Sequence, residues 1–207
     1  VRNASGIAVS CACAGIILCA VDKTGLAIKM TSLMLSVSGG NIFVMLLMAA
    51  AASLIMGMAL PTVACYIIVA TMVAPSLINA GVDPFSAHFF AFYFGMISNI
   101  TPPVALTAFV AAGIAEASPM KTAVQATKIG IAGFVLPFLF VWEPGILLQG
   151  TGMDIAVSCL RGLFVISTAA VVLGGSWFNL RLPIWMRLVM AASAVCLFLP
   201  YSQLNIP

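Results

Sequence analysis

The sequence predicts an all-α integral membrane protein, a set of polytopic helices that includes a re-entrant helical hairpin and an interrupted, locally unwound transmembrane helix. Three observations carry this. Of the 207 residues, 63% are hydrophobic and only 6% charged, where soluble domains carry about a quarter charged residues; mean hydropathy is +1.22. Apolar stretches near or above the roughly 20 residues that cross a bilayer recur along the chain, too often for a cleavable signal peptide. Two of these stretches carry helix breakers at their middle: "GMALPT" at residues 57–62 and "SNITPP" at 98–103.

Charge and cysteine usage narrow the class further. The net charge is +3, and the charged side chains fall mainly in short connections without basic clusters, which sets nucleic acid aside as a partner. The six cysteines, Cys11, Cys13, Cys19, Cys65, Cys159 and Cys196, lie in apolar segments, where free Cys packs as a small hydrophobe. Cys11 and Cys13 would point to well-separated faces of a helix with no His, Asp or Glu beside them, so no transition-metal site is expected.

Residues 5–21, rich in Gly, Ala, Ser and Cys, predict a first helix able to approach protein closely. Residues 22–40 predict an amphiphilic connection with Lys23 and Lys29, ending at the Gly39-Gly40 turn signal. The apolar run 42–78 would make a straight helix of roughly 55 Å, against a hydrocarbon core of about 30 Å. It therefore folds back at Gly57 to Pro61, where Gly permits an unusual turn and Pro removes a backbone donor. After the turn signal Gly81-Val82-Asp83-Pro84, residues 85–99 and 104–115 are each too short to span. End to end they reach roughly 40 Å, one tilted crossing with an unwound centre. Residues 119–128 predict a basic amphiphilic link, 129–148 a span containing Pro137, and 155–174 and 188–204 two further helices.

Short cytoplasmic loops collect Lys and Arg, so Lys121, Lys128, Arg181 and Arg187 are placed inside, and Asp83, Glu143 and Asp154 outside. Lys23 and Lys29 fall outside on this count, against the rule.

Non-helical backbone at membrane depth needs protein or a water-filled cavity to complete its hydrogen bonds, so the two breaks are expected to meet at a polar site. Carbonyls at half-helix C-termini suit Na⁺, and N–H groups at half-helix N-termini suit carboxylate. The hydroxyls of Thr62, Ser98 and Thr101 and the amide of Asn99 add hard oxygen ligands.

At these residues the sequence resembles the large permease subunit of the TRAP (tripartite ATP-independent periplasmic) transporters, in particular the fused permeases of the TAXI branch. The resemblance runs from "SCACAGII" and "TGLAIKMTSLML" through "GMALPT", "ITPPVAL" and "GIAGFVLPFLFV". It implies a sodium-coupled importer of organic acids in the bacterial inner membrane, fed by a periplasmic substrate-binding protein and working as an inverted-repeat elevator. In that family Na⁺ lies where a hairpin tip meets an interrupted helix. Gly57, Thr62, Ser98, Thr101 and Pro103 inherit the role, Gly and Pro through their carbonyls, with Na⁺ as coupling ion and no other cofactor. The family's subunit has two such hairpin and helix pairs, whereas this chain shows one. Residues 1–150 are therefore expected to be the C-terminal repeat, requiring the N-terminal half and small-subunit-like helices as partners, and 151–207 a hydrophobic extension with two helices. The expectation that follows is that this chain alone does not transport.

Other classes account for less. His88 reads as an interfacial side chain with a wet tip, and Glu116 and Lys121 as charges at a helix exit. Gly174-Gly175-Ser176 resembles a nucleophile turn, but an intramembrane hydrolase needs a base or paired aspartates, and the sequence offers His88 as its sole His and no paired intramembrane aspartates. A non-transporting assembly subunit would have uninterrupted helices.

Overall fold

The computed structural model describes residues 12–13, 15–17, 19–21, 23–58, 60, 62–174, 176–177, 180–181, 183, 185–187 and 189–190. The start of the first expected helix, Pro61, Cys11, Gly175, Cys196 and most of the expected helix 188–204 lie outside the described residues. Contacts divide the chain into two compact units, Val1–Thr127 and Lys128–Pro207.

In the first unit, residues 12–13, 15–17 and 19–21 are helical, as their composition predicts. The expected connection after them is instead a helix, α1 (Leu26–Ser38), bounded by Gly25 and Gly39 in the left-handed conformation. Lys23, Lys29 and the Gly39-Gly40 turn signal suggested a connection, yet the helix buries Met34 and Ser38. Thr31 Oγ1 lies 2.9 Å from Ser76 Oγ, so its hydroxyls are partnered by neighbouring helices or by its own backbone.

The run 42–78 is divided as its length requires. Helix α2 (Ile42–Gly57) starts at Asn41, whose side chain accepts from the backbone N–H groups of Phe43 and Val44, and it ends where Met58 turns extended. Helices α3 (Thr62–Met72) and α4 (Ala74–Asn79) follow. Asp83 caps α5 (Pro84–Ile97) by accepting from Ser86 N at 3.0 Å, with Pro84 at the first helical position, where its missing N–H costs nothing. Helix α5 packs against α2, α3 and α4, and α1 also packs against all three. The core holds Leu46 and Ala49 of α2, Ala64 and Val69 of α3, and Ala87, Phe90 and Ala91 of α5. Alanines at these contacts let the helices approach closely.

Beyond α5 the chain makes a 3-10 turn (Ser98–Ile100), and Thr101 is extended at φ −99°, ψ 129°, as the residue before a proline prefers. The Pro102-Pro103 peptide is cis. Helix α6 (Leu106–Ile114) resumes after Ala105. With 14 and 9 residues, α5 and α6 measure roughly 21 and 14 Å, each short of a core of about 30 Å. Helix α7 (Pro119–Gly130) occupies the expected basic link.

The apolar helical stretch 129–148 differs from expectation at both ends. One candidate span covers Pro119–Trp142, which starts ten residues earlier and stops at Glu143. Pro144 explains the stop, since it disfavours helical backbone in the residue before it. In the second unit a 3-10 segment (Ile131–Phe134) leads to α8 (Leu136–Trp142), a second 3-10 segment (Pro144–Leu147) and the 23-residue α9 (Gly152–Gly174). Helix α9 packs against both 3-10 segments. A two-residue antiparallel pairing follows, Ser176 opposite Arg181 and Trp177 opposite Leu180, which the hydropathy pattern did not signal. Candidate spans are Thr62–Asn79, Pro119–Trp142 and Gly152–Val172, so the chain is a polytopic helical membrane protein.

Candidate functional site

The two helix breaks meet. A Cβ added to Gly57 would lie 2.5 Å from Ser98 Oγ, 2.8 Å from the Gly95 carbonyl and 3.0 Å from Cys65 Sγ. At Gly95 the same construction reaches Cys65 Sγ at 2.7 Å. The end of α2, the start of α3 and the end of α5 thus converge at two glycines without room for a methyl group, and Cys65 fills the wedge between them. Gly57, Cys65 and Ser98 are buried. Two spacings produce this: Gly57 falls on the α2 face that buries Ala49, Ala50 and Ser53, and Gly95 lies one turn beyond Ala91 on the buried face of α5.

The hydroxyls at this junction have a definite polarity. Ser98 Oγ donates to Gly95 O at 2.6 Å, and Thr101 Oγ1 donates to Ile97 O at 2.8 Å. Each hydroxyl has one proton, already committed to the helix it terminates, so what it can offer a ligand is an oxygen lone pair. Hydroxyl oxygens are among the ligands that hard cations take. Asn99 is buried beside them.

The backbone of the break is closed by groups from near and far. The Thr101 N–H donates to Ser98 O at 3.2 Å, and the Ala105 N–H to Thr101 O at 3.2 Å. Asn99 O accepts from Thr107 Oγ1 at 2.8 Å and Ile100 O from Thr127 Oγ1 at 3.0 Å. Every carbonyl from Ser98 to Thr101 therefore accepts one hydrogen bond within the chain and keeps its second lone pair. Nothing in the sequence singled out Thr107 or Thr127, because a threonine in an apolar helix most often back-bonds to its own turn.

Of the six residues expected at the site, Gly57 and Ser98 are in direct apposition, with Asn99 and Thr101 following Ser98 in the break. Thr62 heads α3 and Pro103 lies within the unwound segment; both are exposed and so lie outside the buried contact. The expected tip residue Pro61 is outside the described residues.

His88 stands apart from this junction. Its Nδ1 is 3.3 Å from the Tyr66 hydroxyl, and both line an open, mostly aromatic recess of about 650 Å³ with Pro84, Phe85, Phe89 and Phe92. None of the break residues lines it. Among the described residues no group of three His, Cys, Asp or Glu could hold a metal, and Arg161 forms an ion pair with Glu143 at 3.4 Å.

Compared with known families, residues 1–155 match the model described as "Tripartite ATP-independent periplasmic transporter, DctM component". No curated protein and no solved structure matches the chain.

Proposed function

We propose, because the chain belongs to the DctM component family of the tripartite ATP-independent periplasmic transporters, that it carries the ion-binding junction of a sodium-coupled importer of organic acids. The family makes the chain a transport component of a multi-pass membrane protein and not an enzyme. The finer reading is ours. The segment 42–79 is a re-entrant hairpin, 84–114 an interrupted crossing, and residues 1–150 the C-terminal repeat of an inverted-repeat elevator of the TAXI-type fused permeases. Residues 151–207 form its hydrophobic extension. Its partners are the N-terminal repeat, small-subunit-like helices and a periplasmic binding protein that delivers a carboxylate across the bacterial inner membrane.

One observation supports this reading above the rest. Two helix breaks with no room for a methyl group between them bring the Ser98 hydroxyl, its proton already committed, to the end of α2. The hydroxyl polarity alone is ordinary back-bonding to the preceding turn; the convergence of two separate breaks on one oxygen is what a lone structural kink does not need. Na⁺ is the cargo, with Ser98, Thr101 and Asn99 as side-chain ligands and Gly57 as a carbonyl ligand; Thr62 and the Pro103 carbonyl, which lie outside the buried contact, complete the set.

The test is uptake of a radiolabelled carboxylate into proteoliposomes containing the assembled transporter and its binding protein, with an inward Na⁺ gradient and with K⁺ in its place. Uptake only with Na⁺ is expected. Equal uptake in K⁺ overturns the coupling, and no uptake of any carboxylate, with the complex intact, favours an assembly subunit.

A further inference from the structure

We infer that Thr127 is a positioning residue for the ion-binding junction, a releasable latch that ties the unwound segment to α7. This rests on the function proposed above. The first observation is the reach of the contact: Thr127 and Ile100 are 27 residues apart, and among the carbonyls from Ser98 to Thr101 only Ile100 O takes its bond from α7. The second is the packing that brings them together. Ala105 and Ala108 of the α6 segment form a buried cluster with Ala123 of α7, and Phe109 and Ala126 pack against it. Small residues here let α7 close on the break, one helical step from Thr127.

The third observation gives the contact its character. Thr127 Oγ1 lies 3.0 Å from Ile100 O and 3.0 Å from Ala123 O of its own helix. One proton cannot serve both acceptors fully. When it points to Ile100 the break is held; when it retreats to Ala123 the hydroxyl stays satisfied and Ile100 O is released. Release therefore leaves the Thr127 hydroxyl partnered, and the group it strands is the Ile100 carbonyl, which is then free for another partner. Thr107 on Asn99 O, at 2.8 Å, fixes the neighbouring carbonyl from within α6, so the release is confined to one peptide unit. A cation bound between the hairpin end and the break needs the 98–101 backbone in one conformation. Binding and latching then favour each other, and each strengthens the other by the same factor.

Two measurements on the assembled transporter test this with Thr127→Val and Thr127→Ser. Hydrogen–deuterium exchange of the peptide covering residues 98–106, without Na⁺, should be several-fold faster in Thr127→Val and parental in Thr127→Ser. The Na⁺ concentration giving half-maximal uptake should rise about threefold to tenfold in Thr127→Val, the range expected for one hydrogen bond, with maximal uptake retained and Ser restoring the parental value. Parental exchange in Thr127→Val, or a Ser variant that behaves like Val, overturns the latch. A drop in maximal uptake alone makes Thr127 merely structural and overturns it as well. If the parent shows no Na⁺ dependence at all, the proposed coupling fails, and the exchange measurement still decides whether the latch exists.

Discussion

Ser98 illustrates how a single residue can close one helix and face the end of another. Its hydroxyl proton closes the last turn of α5 on Gly95 O, and its oxygen faces the position where Gly57 lacks a side chain. Ser98→Ala and Thr101→Val each delete an oxygen that hydrocarbon cannot replace. Both are expected to shift Na⁺ activation of uptake to higher concentration while leaving the amount of inserted protein near parental, read by comparing uptake curves with membrane abundance. An unchanged activation curve in the double variant would move the site elsewhere. The glycines test the packing itself. Gly95→Ala should destabilise by about 1–3 kcal/mol through overpacking, because its methyl group meets Cys65 Sγ. In a Cys65→Ala background the sulfur is gone, and the same change should cost under about 1 kcal/mol, measured by thermal unfolding in detergent. An equal cost in both backgrounds refutes the contact.

Elements differ in how well their neighbours can be read from the chain. The breaks after α2 and α5 were legible because Gly and Pro act on their own backbone, and Thr101 is extended for the local reason that Pro102 follows it. Helix α1 was not legible as a helix, since its partners Ser76 and the faces of α2 and α3 come from later in the chain. Thr107 and Thr127 escaped notice because the carbonyls they bond lie 8 and 27 residues back along the chain. The partners of Glu143, which is 5% exposed, were not legible either. It accepts from Ser158 Oγ at 2.8 Å and pairs with Arg161 Nη1 at 3.4 Å, joining the turn after α8 to α9. Here too a glycine makes room, since a Cβ on Gly145 would lie 2.7 Å from Ser158 Cβ and 3.1 Å from Asp154 O. Arg161 is one-third exposed, so its charge is screened and the buried Ser158 bond dominates. Glu143→Leu should therefore destabilise the second unit by about 1–3 kcal/mol, and Ser158→Ala by a similar amount. Arg161→Gln should cost less. Thermal unfolding that ranked Arg161 above Ser158 would reverse this assignment.

For the molecule as a whole, the surface points to a bilayer: Ile114 is 83% exposed, Ile28 76% and Ile129 77%, positions that water would penalise and acyl chains accommodate. The segment 84–114 bears most on how the first unit crosses it. Neither α5 nor α6 is among the candidate spans, and read one helix at a time both would be assigned to protein interior or interface. The alternative is that the two act in series. Placed end to end across the Ser98–Ile100 turn and Thr101 to Ala105, they cover the roughly 30 Å of hydrocarbon that neither covers alone. The unwound middle then falls at depth, where Thr107 and Thr127 supply the hydrogen bonds that lipid cannot. This makes opposite predictions for the two ends. If 84–114 crosses, Asn79 and Lys121, both exposed, lie on opposite sides of the membrane; if α5 and α6 fold back as a hairpin, they share one. Asn79→Cys and Lys121→Cys, each introduced into a chain whose other accessible cysteines are replaced by serine, should react with a membrane-impermeant maleimide from opposite faces of oriented vesicles. Lys121 should react from the cytoplasmic face, which collects lysine and arginine. Labelling of both from one face would remove the interrupted crossing, and with it the reason for placing the junction of Gly57 and Ser98 at membrane depth.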